Sequence, residues 1–150
     1  MGEWKRICCA VDFSRASRAA LTQAAELARR LGAELSIVHV YEAPVVSALD
    51  ALTAAPEAYE LQARELERAI ASWQADAQAV TGRPVEVFVL TGSAAGEIVR
   101  FAREHGVDAI VVATHGRTGL PRVVLGSVAE HVVRTAPCAV VVARAAADSQ

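Results

Sequence analysis

Short apolar runs alternate along this chain with longer stretches in which apolar residues return every three or four positions, and that alternation constrains the fold more than any other feature. Lys5 to Val11 (KRICCAV) reads as a buried strand, closed by Asp12-Phe13-Ser14, with Ser14 placed to cap a helix. From Ser14 to Leu31, the residues Ala20, Ala24, Leu27 and Leu31 share one helical face, and Gly32 supplies the stop. Glu34 to Val40 (ELSIVHV) is a second strand. Tyr41 to Pro56 is apolar but punctuated by Pro44 and Pro56, and reads as a partly ordered excursion covering a site. Glu57 to Thr81 is the longest helix, with Leu66, Ile70, Trp73, Ala77 and Val80 on one face and Gly82 behind it.

Pro84 to Leu90 (PVEVFVL) is a third strand, with Val85, Val87 and Val89 as its apolar face and a mixed opposite face that suits an edge. Thr91-Gly92-Ser93 turns into a helix running through His105 and closed by Gly106. Val107 to Ala113 is a fourth strand, with Asp108 near its start, and Ser127 to Thr135 is a short helix ended by Pro137. Cys138 to Ala143 (CAVVVA) is a fifth strand, and residues 144–150 read as a frayed tail. Five apolar strands interleaved with four helices specify an α/β domain, an open parallel sheet covered on both faces. At 150 residues, with no repeat or internal linker, this is one domain.

Composition narrows the function classes. Apolar residues make up 53% of the chain but aromatic ones only 5%, which suits Ala-faced helices on Val-rich strands. A net charge of −2 gives no electrostatic case for nucleic acid or an anionic membrane. No apolar run approaches the ~18 residues of a membrane span. The opening MGEWKR leads directly into a strand without the shape of a signal peptide, so a cytoplasmic protein is expected. Cys8 and Cys9 are neighbours on opposite strand faces and Cys138 begins another strand, the pattern of buried, reduced thiols.

The chemistry concentrates in Ala113 to Ser127, ATHGRTGLPRVVLGS, which leaves a strand and enters a helix. Glycine lets backbone N–H groups approach an anion, and a helix start adds unpaired donors and the positive end of the dipole. Ligands of open parallel sheets bind beyond the carboxyl ends of strands where the winding reverses, and Asp12, Val40 and Ala113 stand at three such ends. Asp12 there can accept from a ribose hydroxyl, help hold a metal through water, or simply cap the first helix. Ser127-Val128-Ala129-Glu130 also has the form of a capping box, in which Ser127 and Glu130 would satisfy the helix start themselves. The four histidines (His39, His105, His115, His131) are scattered without metal-binding spacing, so His115 is a loop residue touching ligand or water. Gly92-Ser93-Ala94-Ala95-Gly96 is no dinucleotide fingerprint, and neither a Walker A lysine nor a Gly-x-Ser-x-Gly elbow occurs. No catalytic base, nucleophile or metal ligand is identified.

At these residues the chain resembles the single-domain universal stress proteins. ICCAVDFS resembles that family's first strand and Asp turn, and IVHV its second strand. TGSAAGEIVRFAREHGVDAIVVATHGRTG and LGSVAEHVVRTAPCAVVVAR resemble its third-helix-to-C-terminus signature, the most specific part. The similarity runs from Lys5 to Arg144 and is weakest over Val45 to Val80. It implies strand order 3-2-1-4-5, an adenine nucleotide alpha hydrolase-like fold, and a stress-response regulator that binds ATP, with Mg²⁺ bridging the phosphates. The family's nucleotide-binding branch carries Gly-x2-Gly-x9-Gly-Ser/Thr. Gly116, Gly126 and Ser127 match, while Ala113 stands at the first glycine position. If that position needs a left-handed backbone, Ala costs about 1–2 kcal/mol there; if it needs only a small side chain, the methyl costs little.

The resemblance further implies that Ala10, Val11, Asp12 and Val40 surround adenine and ribose. Val112, Ala113 and His115 would lie along the nucleotide, and Gly116, Gly126, Ser127 and Val128 would hold phosphates, with charge from Arg117 and Arg122. It implies a homodimer through the edge strand Cys138 to Ala143 and an unidentified regulatory protein partner. The alternative function is a dimeric stress module that binds no nucleotide and acts through protein contacts. Slow ATP hydrolysis is the most that is expected of it as an enzyme.

Overall fold

A computed structural model describes residues 2–42, 56–114 and 125–145. Its strands are β1 (Arg6–Ala10), β2 (Glu34–Tyr41), β3 (Glu86–Thr91), β4 (Ala109–Ala113) and β5 (Ala139–Ala143), and its helices α1 (Arg15–Leu31), α2 (Pro56–Thr81), α3 (Ala94–Glu104) and α4 (Ser127–Thr135). All the strand pairs are parallel, in the order β3-β2-β1-β4-β5. The fold class and strand order expected from the sequence are therefore those observed. Of the excursion from Tyr41 to Pro56, Tyr41 closes β2 and Pro56 opens α2, where a first-turn proline loses no helical hydrogen bond. Residues 43–55, like the tail from 146, lie outside the described residues.

The sheet separates two cores. Ile7, Cys9 and Val11 of the first strand segment pack with Leu35, Ile37, Val111 and the small face of α1 (Ala20, Ala24, Ala28), with Trp73 and Ala77 of α2 above. Cys8 packs on the other side with Val38, Ile110 and Val112, beneath Ile98, Val99 and Phe101 of α3 and Val132 of α4. Alanines let α1 lie close against the sheet, as expected from a chain rich in Ala and Val.

Local signals account for the helix ends. The Ser14 hydroxyl accepts from the Ser17 N–H at 3.1 Å and caps α1, while Gly32, at φ 66°, ends it with its N–H turned back to Ala28 and Arg29. Edge strand β3 is clipped to α2 at its approach: Gln78 Oε1 accepts from the Val85 N–H at 3.1 Å and Gln74 Nε2 donates to the Val85 carbonyl at 2.7 Å. The expected apolar face of this strand is only partly realised. Val85 is buried, but Val89 is 48% exposed, while Phe88 and Leu90 pack against the α3 side. Among the described residues α2 covers the start of the strand and not its end.

Asp108 acts at the opposite edge. Its carboxylate accepts from the Lys5 and Arg6 N–H groups at 2.8 and 2.9 Å, and these donors hold it below the usual carboxylate range. It fastens the start of β1 to the start of β4.

The thiols follow the period of the strand. Cys8 and Cys9 are fully buried on opposite faces, and all three cysteines are free. Burial, with Cys138 adding to it, pushes the Cys8 thiol up to about 12, and burial raises Cys9 as well. Both are therefore protonated and inert at neutral pH. We predict that a thiol reagent at pH 8 labels Cys138 in the native chain and all three cysteines only after unfolding. Because the folded thiols keep protons that the unfolded chain loses above its ordinary value of 9.0, stability should fall as pH rises beyond it. Native labelling of Cys8 or Cys9 at the unfolded rate contradicts this assignment.

Candidate functional site

Parallel pairing brings the carboxyl ends of β1, β2 and β4 to one edge of the sheet. The Val11 N–H donates to Val38 O at 2.9 Å and the Thr114 N–H to Ala143 O at 3.0 Å, carrying strand pairing one residue past β1 and β4. On one side of this edge is the turn from β1 into α1, and on the other the junction from β4 to α4. The Gly126 N–H donates to Thr114 O at 2.6 Å, so both ends of the long loop are fixed at the tip of β4.

The first half is built around Asp12. Its Oδ1 accepts from the Ser14 N–H at 2.9 Å, an Asx turn that sets up the Ser14 cap. The buried Ser17 hydroxyl donates to Ser14 O at 3.1 Å and receives the Asp12 N–H at 3.3 Å. Ser14 rather than Asp12 is thus the cap, and Asp12, half-buried, shapes the turn before it.

Between them Phe13 has φ 62°, the left-handed region, where no other described residue except glycine is found. Its ring lies between His39, at 4.8 Å between centroids, and the edge of Trp73, at 4.9 Å. His39 Nδ1 lies 2.9 Å from the Val11 carbonyl; a carbonyl only accepts, so Nδ1 carries the proton. A left-handed backbone costs a bulky residue about 1–2 kcal/mol. Two aromatic contacts contribute roughly 0.5–1.5 kcal/mol each beyond the area they bury, enough to offset it. Sequence reading missed Phe13, His39 and Trp73 as parts of this edge, since the turn's handedness carries no signal in residue type.

The second half differs from expectation in two ways. Ser127 does not cap α4. Gly126 is the N-cap, in extended conformation, and Ser127 is the first helical residue. The Ser127-to-Glu130 capping box is consequently not formed: Glu130 donates its N–H to Gly126 O at 2.9 Å, and its carboxylate pairs instead with Arg134 at 2.6 Å. A glycine cap supplies no side-chain acceptor of its own to the first-turn amides, which is the arrangement an anion can use. Ala113, in turn, is an ordinary strand residue paired with Ala143, outside the left-handed region. Its methyl therefore carries no backbone strain, and of the two conditions weighed for this position the left-handed one does not apply.

Of the sequence-derived site residues, Ala10, Val40 and Val112 pack on the α3 and α4 side of the sheet, and Val11 and Ala113 on the α1 and α2 side. Gly126, Ser127 and Val128 start α4, Ser127 and Val128 being exposed. The structure thus gathers Ala10, Val11, Asp12, Val40, Val112, Ala113 and Gly126 to Val128 at one edge. His115, Gly116, Arg117 and Arg122 lie outside the described residues. Among the described residues no three His, Cys, Asp or Glu side chains form a metal site, and no helix is long and apolar enough to cross a membrane. A groove of about 840 Å³ opens at the opposite edge, lined by Arg6, Glu34, Phe88, Phe101, Arg103 and His105 among others. That end presents strand starts rather than the carboxyl ends at which parallel sheets bind ligands, so the Asp12 edge is the candidate site.

Comparison with known proteins agrees with this architecture. A model described as the universal stress protein family matches residues 3–144. A universal stress protein of Thermus aquaticus is 39% identical, over 94% of this chain and 99% of its own. The structure of the universal stress protein UspA from Lactobacillus plantarum is similar with a TM-score of 0.82 and 28% identity, covering 96% of this chain and 100% of that one. Two further structures share the fold at lower identity. One is a universal stress protein in complex with cAMP (21% identical, TM-score 0.71, covering 95% and 98% of the two chains). The other is that of Archaeoglobus fulgidus in complex with dAMP (24%, TM-score 0.66, 95% and 99%).

The Phe13 geometry makes a stability prediction. Phe13→Ala keeps the left-handed cost and loses the ring packing, and should destabilise the chain by about 2–4 kcal/mol. Phe13→Gly should recover about 1–2 kcal/mol of that loss. Urea unfolding monitored by circular dichroism measures both; equal losses for Ala and Gly would refute the strained backbone.

Proposed function

This chain belongs to the universal stress protein family, and from that footing we propose that it is a regulatory protein that binds an adenine nucleotide, ATP, at the Asp12 edge of the sheet. The observation that carries this reading is the paired architecture of the edge: an Asp-built turn at the end of β1 faces a helix start at the end of β4 whose glycine cap offers no side-chain acceptor. That two same-fold relatives hold cAMP and dAMP supports an adenine ligand. In this reading Ala10, Val11, Asp12 and Val40 surround base and ribose, Asp12 accepting from a ribose hydroxyl. Val112, Ala113 and His115 run along the nucleotide. Gly116, Gly126, Ser127 and Val128 line the phosphates: Ser127 and Val128 present first-turn N–H groups, Gly126, whose own N–H is bonded to Thr114 O, leaves room for close approach, and Arg117 adds charge. Mg²⁺ would accompany the nucleotide and neutralise part of the phosphate charge that Gly116, Gly126, Ser127 and Val128 would hold.

In this reading the chain's own contribution is to bind and orient the nucleotide, with at most slow hydrolysis. Its output is a change read by a protein partner in the cytoplasm. Edge strand β5 presents Val140, Val141 and Val142, all half-buried in the single chain. Pairing with a two-fold mate would cover that edge and form a homodimer. A second reading, a dimeric module without nucleotide, is favoured by one observation, the methyl of Ala113 where the nucleotide-binding motif has glycine.

Denaturing the purified protein should release adenine nucleotide, and calorimetry should give ATP–Mg²⁺ binding at micromolar affinity, about −8 kcal/mol. Asp12→Ala should weaken it roughly ten-fold or more through loss of a charged hydrogen bond. Ala113→Gly should change affinity by less than about three-fold, because the backbone there is already relaxed. Absence of binding in the unaltered chain with appearance of it in Ala113→Gly would favour the second reading. Light scattering behind size exclusion should report a dimer at tens of micromolar, and a monomer would rule out the β5 pairing.

A further inference from the structure

Phe13 sits at the junction of three parts of the molecule, and none of them is explained by the Asp12 turn alone. Its backbone is part of the ligand-side loop, flanked by Asp12 and the Ser14 cap. Its ring is wedged between His39 of β2 and Trp73 of α2. Trp73 is buried and also meets Arg18, whose guanidinium lies 5.2 Å from the indole ring centre and pairs with Asp76 of α2. His39 in turn is tied through Nδ1 to the Val11 carbonyl. The contact with Trp73 is therefore a direct bridge between the loop carrying Asp12 and the longest helix of the protein.

We propose that Phe13 is a positioning residue that holds Asp12 for the nucleotide and passes occupancy of the crevice to α2 through the Phe13–Trp73 contact. The inference rests on the nucleotide reading above. A left-handed φ at a non-glycine residue persists only while its surroundings over-determine it. A ligand bonding to Asp12 pulls on the residue next to that strained link. Relaxing the Phe13 backbone moves its ring, and that ring is in contact with Trp73 and His39. The direction of response follows from this packing. β2 is anchored in the sheet by parallel pairing on both sides, with β1 and β3. α2 meets the rest of the described chain mainly through its second half: from Pro56 to Glu65 every residue is exposed. The segment from Pro56 to Trp73 extends about 26 Å at 1.5 Å per residue, so a small tilt at Trp73 becomes a larger displacement at Tyr59 and Leu61, both exposed apolar residues. Such a helix is a readable output for a regulatory partner.

The chain holds two tryptophans, Trp4 and Trp73, so Trp4→Phe leaves Trp73 as the sole emitter. In the full-length Trp4→Phe protein, ATP with Mg²⁺ should shift Trp73 emission with the half-saturation measured by calorimetry. By reciprocity of coupling, Phe13→Leu and Trp73→Leu should each weaken ATP binding about five- to ten-fold. The double variant should be no weaker than either single one, since both break the same contact. Phe13→Tyr keeps the ring and should bind within about two-fold of the unaltered chain. Normal calorimetric binding with no change in Trp73 emission overturns the coupling and leaves the nucleotide site standing, and so do additive losses in the double variant. No binding in the unaltered chain overturns the nucleotide reading and this inference with it. The emission arm needs only Trp4→Phe, so it holds even if a Phe13 variant fails to fold.

Discussion

The parallel pairing of β1 between β2 and β4 is the constraint on which the rest of this protein depends. Cys8 lies opposite Ser36 on one side and Ile110 on the other, and the middle of the strand, Ile7 to Cys9, is buried on both faces. A strand buried on both faces must be apolar throughout, which explains why its middle reads Ile-Cys-Cys-Ala rather than alternating. Parallel neighbours also require every connection to cross back over a face, so the helices are consequences of the pairing. The winding reverses at β1, because the chain moves outward to β2 and β3 and then returns to β4 and β5 on the other side. That reversal parts the helices at the edge where β1 ends in the Asp12 turn and β4 leads to the Gly126 cap.

What the two halves of the site contribute differs in kind. The Asp12 half is crowded with side-chain hydrogen bonds and held by rings, so its geometry is set before any ligand arrives. The α4 half offers backbone: a glycine cap, a first-turn serine with no capping role, and a carbonyl at Thr114 that pins the loop's far end. In the proposed nucleotide reading, specificity for a ligand group falls to the first half and accommodation of negative charge to the second. The strained Phe13 lies in the rigid half, where the surrounding packing can sustain it.

Much of the architecture was legible because the signals were local. Ser14 and Gly32 bound α1 as their residue types dictate, Gly82 and Gly106 take the left-handed conformation behind α2 and α3, and Cys8 and Cys9 divide between the two faces as a period of two demands. Failures arose where one residue's role depended on another element. Ser127 and Glu130 have the spacing of a capping box, but helix α4 begins one residue earlier than that box requires because the Gly126–Thr114 hydrogen bond fixes where the chain enters the helix. Val89 alternates correctly with Val87, yet it is exposed, since burial depends on where α2 ends over the strand.

The sequence by itself determined the element order, the two-faced parallel sheet, the family and the residues that gather at one edge, because apolar period, caps and motif spacing are properties of neighbouring residues. Only the tertiary structure decided that Ala113 is a relaxed strand residue, that Gly126 rather than Ser127 caps α4, and that Phe13 is forced left-handed between His39 and Trp73. Those features are set by contacts between residues distant along the chain, Ala113 with Ala143, Gly126 with Thr114, and Phe13 with His39 and Trp73, and no local preference for Phe, Ala or Ser encodes the partner that sustains them.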